Sequence, residues 1–169
     1  MTMERSIVQM TAASLEEVLR IEHESFDDPW PAEAFLAELT QPWSYFKLIG
    51  VPYHRAAMEV DGFVICWMLP GDLHVLNLAI ARHRRRQGLG RQLMFHCLDV
   101  FADRGGGLVN LEVRESNRAA QELYRSMGFS TVGRRRQYYR RSNEDAILML
   151  REVAPGERIR RVDRQGAIR

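Results

Sequence analysis

Read from its start, the chain carries apolar residues first at strand spacing and then at helix spacing. "SIVQM" (6–10) predicts a short strand, and from Thr11 onward Leu15, Val18, Leu19 and Ile21 line one face of a helix. "DDPWP" (27–31) ends that helix, because proline has no backbone N–H to give and its ring crowds the preceding turn. A second short helix over about 31–39 presents Phe35, Leu36 and Leu39. Residues 40–55 leave two readings open: "SYFKLIGV" is an additional strand or part of a loop. "AAMEV" (56–60), "FVICWML" (63–69) and "LHVLNLAI" (73–80) predict three strands, joined by tight turns at Asp61-Gly62 and Pro70-Gly71-Asp72. Leu89, Leu93, Cys97 and Phe101 recur every four residues, which predicts a long helix over about 88–103 that "RGGG" (104–107) closes. "LVNLEV" (108–113) predicts a strand. "SNRAAQELYRSMGF" (116–129) predicts a helix with Ser116 or Asn117 as cap and Gly128 just past its end. Two closing strands fall at about 131–138 and 145–150.

The order βααβββαβαββ predicts an α/β domain over residues 1–151, with helices flanking a mixed, mostly antiparallel central sheet. A hairpin that feeds a helix, followed by a strand parallel to the last hairpin strand, leaves a central crevice for a ligand. Residues 152–169 form a basic tail with few apolar residues, the composition of a disordered segment.

Composition narrows the class. Of 169 residues, 46% are hydrophobic and 27% charged, as in a globular domain. No apolar run approaches the ~18 residues of a membrane span, and "MTMERSIVQM" lacks the layout of a signal peptide. Cys66 and Cys97 lie in apolar stretches, which predicts buried reduced thiols and a cytoplasmic protein. Neither has a zinc-like partner spacing and the five histidines are scattered, so no metal is expected. The net charge of +2 hides an asymmetry: residues 1–81 hold 4 basic and 12 acidic side chains, residues 82–169 hold 20 and 10. Lys47 is the single lysine; GC-rich coding is one source of such arginine dominance, but it does not explain the split. The split points to an anionic ligand on the C-terminal half.

"RRRQGLGRQL" (85–94) gives that ligand a place. Glycine weakens a helix by about 1 kcal/mol relative to alanine, so Gly88 and Gly90 at a helix start call for a reason. A helix N-terminus exposes unpaired N–H groups, and bare backbone lets a phosphate approach them; Arg86 and Arg91 add charge. No Gly-Lys-Ser/Thr follows as in a Walker loop, and Leu93 stands where a Rossmann loop has its third glycine. A plain glycine turn on a solvated basic face is the competing reading. In "LVNLEV", alternation sends Val109, Leu111 and Val113 to one face and Leu108, Asn110 and Glu112 to the other. Glu112 is thus a candidate general base, or simply a solvent-facing carboxylate. Ala120, Leu123, Tyr124 and Met127 form a helical stripe, so Tyr124 suits packing as well as chemistry. Glu22, Glu24, Asp27 and Asp28 read as an exposed acidic helix end, or as a lure for a basic peptide.

Arg85-Arg86-Gln87-Gly88-Leu89-Gly90 resembles the pyrophosphate loop of the GCN5-related N-acetyltransferases (GNAT), and "NLEVRESNRAAQELYRSMGF" (110–129) resembles their second acetyl-CoA motif. "PW", "NLAI", "RQGLGR" and "YY" followed by "EDAILM" extend the likeness, over about residues 4–150, to the RimI-type ribosomal-protein N-terminal-alanine acetyltransferases. The resemblance implies transfer of acetyl from acetyl-CoA to the N-terminal α-amine of a protein, alanine on a small-subunit ribosomal protein, by direct attack with general-base help. It implies that Leu78, Ala79 and Ile80 hold the pantetheine arm, that Arg86, Gln87, Gly88, Leu89, Gly90 and Arg91 cradle the pyrophosphate, and that Asn117 bonds the cofactor. Glu112 then matches the base, Tyr124 lies near the sulfur, and Trp30, Tyr138 and Tyr139 grip the acceptor. A monomer is expected, with no membrane and no sequence-specific nucleic acid partner. Magnitudes agree: neutralising an α-ammonium of pKa ~8 at pH 7 costs about 1.4 kcal/mol, against about 4.6 for lysine. A glutamate raised by burial, or working through water, suffices for the smaller task. Full proton transfer from tyrosine (~10) to a thiolate (~8.5) is uphill by about 2 kcal/mol, which favours thiolate stabilisation by Tyr124. Arg82-His83-Arg84 and Arg140 depart from the family pattern, and residues 40–55 run long. Two alternatives stand: acetylation of a small-molecule amine or lysine, and a non-catalytic basic ribosome- or RNA-binding module. Aromatics are not interleaved with the basic runs, which weighs against the latter.

Overall fold

A computed structural model describes residues 4–53 and 57–159. In chain order its elements are β1 (Ser6–Gln9), α1 (Leu15–Ser25), α2 (Ala32–Thr40), β2 (Ser44–Tyr53), β3 (Ala57–Leu69), β4 (Gly71–Ile80), α3 (Leu89–Asp103), β5 (Gly107–Arg114), α4 (Arg118–Ser126), β6 (Ser130–Tyr139) and β7 (Glu144–Val153). The strands form one sheet in the order β1-β2-β3-β4-β5-β7-β6, in which only β4 and β5 run parallel. This is the α/β order βααβββαβαββ. Alternation along β3 sorts the core: Val64, Cys66 and Met68 pack with α3 residues Leu93, Cys97 and Phe101, while Phe63 and Ile65 pack with Val18, Ile21 and Phe35 of α1 and α2. Cys66 and Cys97 are buried, free and adjacent; a hydrogen bond between the thiols and their burial push Cys66 well above the usual thiol range. Among the described residues no helix is long and apolar enough to cross a membrane.

The middle of the sheet differs from the sequence reading. Residues 44–53 are strand β2, and Asp61-Gly62 is not a turn but lies inside the single strand β3. Ile49 faces Gly62 and Gly50 faces Val60, which leaves Asp61 as the extra residue of a β-bulge. The reason is electrostatic as well as geometric. The fully buried Asp61 carboxylate accepts from Arg5 Nε at 2.6 Å and from Arg84 Nε at 3.0 Å, so two cations hold the dipeptide in the sheet. At the chain end Glu152 and Val153 complete β7. Gly156 N–H then donates to Ala102 O at 2.8 Å, and Ile159 is buried against α3. Residues 160–169 of the predicted tail, and Ala56 of the predicted "AAMEV" strand, lie outside the described residues.

A second bulge shapes the centre. Ile65 faces Asn77 and Cys66 faces Val75, so Leu76 is an extra residue on β4. The parallel pairing of β4 with β5 starts at Gly71 opposite Gly107 and stops at Val75 opposite Leu111. Beyond that point β4 keeps its bonds to β3 and β5 keeps its bonds to β7, so the sheet forks. The start of the seam depends on Gly107, at φ 134°, where a Cβ would stand 2.2 Å from Gly71 O. Gly107→Ala is therefore expected to cost about 3 kcal/mol or more in urea unfolding. A loss below about 1 kcal/mol would mean that the seam is not so constrained.

Candidate active site

The fork opens a cleft of about 1260 Å³, lined on one wall by the last half of β4 and on the other by Leu111–Arg114 of β5. Ala81 N–H donates to Asp61 O toward β3, so alternation turns the backbone groups of Leu78 and Ile80 away from β3, toward the side where β5 has parted. Ala79, between them, packs into the core under α1 and α2. The Ile80 carbonyl accepts from Arg85 Nε at 3.1 Å, and Arg85 Nη2 reaches Ser25 Oγ at 3.0 Å.

The glycine loop closes one end of the cleft. Arg86 (φ 64°) and Gly88 (φ 78°) take left-handed backbone, and Gly88 is the N-cap of α3. The first intrahelical bond runs from Gln92 N–H to Gly88 O, so the N–H groups before it face the cleft end without helical partners. A Cβ on Gly90 would meet only side chains, the nearest at 3.7 Å, so the fold has room for a Cβ there. Arg86, Gly88, Leu89, Gly90 and Arg91 line the cleft; Gln87 does not. Its side chain turns outward, where Oε1 accepts from Arg5 and Nε2 donates to His83 O. Arg5 thus joins the loop to Asp61. Among the described residues Glu59, Asp61 and His83 bring ligand-type atoms within 4.8 Å of one another. Both carboxylates are already ion-paired there, Glu59 with Arg84 at 3.1 Å and Asp61 with Arg5 and Arg84.

Glu112 and Tyr124 line the same cleft, where β5 and α4 meet. Glu112 Oε2 lies 2.7 Å from His74 Nε2, and Oε1 lies 3.5 Å from an Arg135 guanidinium nitrogen. The hydrogen bond to His74 holds the Glu112 carboxyl below its ordinary range, against the opposing effect of burial. This corrects the expectation of a burial-raised glutamate. Tyr124 sits edge-on to Phe129, and burial pushes its phenol well above the usual value. Asn117 is the α4 cap: its Oδ1 accepts from Ala120 N–H at 3.1 Å while the residue borders the cleft.

The opposite end is built from the α1–α2 connection and the β6–β7 hairpin. Trp30, Tyr138 and Tyr139 all border the cleft there. Tyr138 and Tyr139 pack edge to face, and the Arg114 guanidinium lies 3.9 Å over the Tyr139 ring. Burial raises Tyr139 to about 12. Arg141 spans to Asp28 at 3.1 Å and so links the two lips. Glu22 is not part of an exposed acidic end. It is 1% exposed, accepts from Trp30 N–H at 2.9 Å and from Asn77 Nδ2 at 3.0 Å, and is raised by burial. Its signal was present in the sequence: four residues after Val18, it falls on the apolar stripe of α1. His74 could not be found without the strand register.

Residues 15–129 match the acetyltransferase (GNAT) family. The N-alpha-acetyltransferase RimI of Mycobacterium tuberculosis is 37% identical over 87% of this chain and 92% of its own. The ribosomal protein bS18-alanine N-acetyltransferase of Escherichia coli K12 is 32% identical over 85% and 95%. Among solved structures, the ribosomal-protein-S18-alanine N-acetyltransferase from Escherichia coli superposes with TM-score 0.78 at 29% identity over 89% and 95% of the two chains. Ard1 from Thermoplasma volcanium gives 0.79 at 26% identity over 88% and 97%. A forked sheet, a basic glycine loop at a helix start and these matches lead to one assignment: the chain belongs to the acetyltransferase (GNAT) family and is an acetyl-CoA-dependent N-acetyltransferase.

Proposed function

We propose that the protein acetylates the N-terminal α-amine of a protein, with the alanine terminus of ribosomal protein bS18 as the acceptor. The observation that carries this reading is a carboxylate, Glu112, held ionised at the fork between a basic glycine loop and an aromatic lip. The relatives named for bS18-alanine acetylation, which match over most of their own length, support the choice of acceptor.

The residues suit acetyl-CoA. The α3 N-terminus, with Arg86, Gly88, Leu89, Gly90 and Arg91 around it, would hold the pyrophosphate, and the open space beside Gly88, where nothing lies within 4 Å of a Cβ position, fits close approach of an anion. The outward backbone of Leu78 and Ile80 would pair with the amide-bearing arm, in place of the missing strand, with the Asn117 side chain beside it. When bound, acetyl-CoA supplies an activated thioester acyl group. Trp30, Tyr138 and Tyr139 would position the acceptor chain at the other mouth, and Glu112 would receive the proton that its ammonium must lose. Moving a proton from an amine of pKa ~8 to an ordinary carboxyl of ~4.3 is uphill by about 5 kcal/mol, and the lowering of Glu112 by His74 adds to that. That lies well inside the ~16 kcal/mol barrier of an enzyme turning over ten times per second. Tyr124, raised further by burial, keeps its proton and serves as a hydrogen-bond donor to the departing thiolate.

Three outcomes follow, each read by thiol release from acetyl-CoA with a short alanine-terminated peptide. Glu112→Gln should lower kcat by about 100-fold or more while acetyl-CoA affinity holds, and full activity would remove Glu112 from the chemistry. Wild-type kcat/KM should stay level from about pH 6 to about pH 8, where Glu112 is ionised and the acceptor still carries its proton, and then fall about tenfold per pH unit to about pH 10. The lowered Glu112 is ionised and the raised Tyr124 protonated across that range, so only the acceptor amine titrates. A kcat/KM that rises through about pH 7 to a plateau above about pH 8 would contradict this, because the acceptor would then arrive already neutral. Gly90→Val, in a protein that still unfolds cooperatively, should raise KM for acetyl-CoA at least about tenfold. An unchanged KM would place the pyrophosphate elsewhere.

A further inference from the structure

Two polar bridges step along the seam where β4 and β5 still pair. Asn110 Nδ2 donates to Asp72 Oδ1 at 2.8 Å, and His74 Nε2 meets Glu112 Oε2 at 2.7 Å. Each partner on β5 lies two residues beyond the register position of the β4 residue, since Asp72 faces Leu108 and His74 faces Asn110. Both bridges therefore slant the same way on one sheet face. The second is the last before the strands part at Val75 and Leu111.

His74 stands behind Glu112 and does not border the cleft. Its ring meets Trp67 of β3 edge-on at 6.3 Å, and the Trp67 indole N–H is anchored on Glu38 of α2 at 3.0 Å. The imidazole is thus fixed from β3 and α2 and presents one nitrogen to β5. A carboxylate held below its ordinary range has no proton to share near neutral pH, so Nε2 is the donor. The other charged and titratable groups near Glu112 come from β6: Arg135, 3.5 Å from Oε1, and Tyr139. Arg135 is a long side chain, 54% exposed, so Oε1 faces a cation that an arriving ammonium can replace.

We propose that His74 is a positioning residue for acetyl transfer, its Nε2–H locking the Glu112 carboxylate at the fork and leaving Oε1 to meet the acceptor's proton. The proposal rests on the reading of Glu112 as proton acceptor. Without the bridge the carboxylate loses its 2.7 Å side-chain donor, the largest of the interactions that favour its ionised form, and becomes easier to protonate.

The test compares His74→Leu, which removes the donor, with His74→Gln, which offers an amide N–H in its place. Glu112 is followed by carboxyl carbon-13 NMR in the free protein, and kcat and KM are measured alongside. In His74→Leu the Glu112 titration should move up by about one pH unit or more and kcat should fall about tenfold, with KM for acetyl-CoA unchanged. His74→Gln should recover kcat to within about threefold of wild type. A His74→Leu protein that folds with an unmoved Glu112 titration and unmoved kcat overturns the proposal. So does a His74→Gln protein as impaired as His74→Leu, because the donor would then not be what matters. A fully active Glu112→Gln protein instead overturns the reading of Glu112 itself, and the two failures are distinguishable.

Discussion

Everything functional in this fold depends on two strands that begin as neighbours and cannot stay so. β4 and β5 are tied at their start by the close approach of Gly71 and Gly107, and by five paired positions. The extra residue at Leu76 then bends β4 along β3, while β5 follows β7. Backbone N–H and C=O groups near the sheet centre are left without a strand to bond. Unpaired backbone away from water is costly, so such an edge suits a ligand that can bond like a strand. The amide-bearing arm of acetyl-CoA has that chemistry, and acetyl-CoA dependence belongs to the family. The same divergence places Glu112, the first residue of β5 past the last pair, with its side chain at the mouth of the opening.

Around the fork, buried carboxylates act as anchors for the connecting segments. Asp61 collects Arg5 from the N-terminal segment and Arg84 from the loop before α3, and Arg5 also touches Gln87. The glycine loop is thereby braced from outside, and its cleft-facing side is left to backbone groups and arginines. Glu22 does the corresponding work at the acceptor end, where it joins the Trp30 backbone to Asn77 on β4. Breaking either buried arrangement on one side would leave a charge without partners, a loss of several kcal/mol by general experience. Of the twelve acidic side chains in residues 1–81 only Glu22 and Asp61 are buried, and both act as internal braces, while Arg86 and Arg91 border the cleft at the glycine loop.

Local periodicity made most of the fold legible. Leu89, Leu93, Cys97 and Phe101 are each buried as their spacing demands, and Val109, Leu111 and Val113 face the core while Glu112 does not. The glycine loop was legible as a helix start, and Gly88 is the left-handed N-cap of α3. Asp61-Gly62 misled because a dipeptide that favours a turn is equally at home in a bulge, and the choice was made by Arg5 and Arg84, distant in sequence. Glu22 and His74 were hidden for a related reason. Their roles depend on partners 55 and 38 residues away, set by strand register rather than by any local pattern. The Glu112 environment was misjudged on the same account, since its burial was foreseeable but the imidazole beside it was not.

The central claim is that this cleft delivers acetyl to a peptide α-amine. The most direct measurement is fragment-ion mass spectrometry of one peptide that begins with alanine and carries an internal lysine, after incubation with enzyme and acetyl-CoA. The account predicts a single acetyl group on the alanine nitrogen. Acetyl found on the lysine, with the terminus left free, would contradict it and move the enzyme to a different acceptor class.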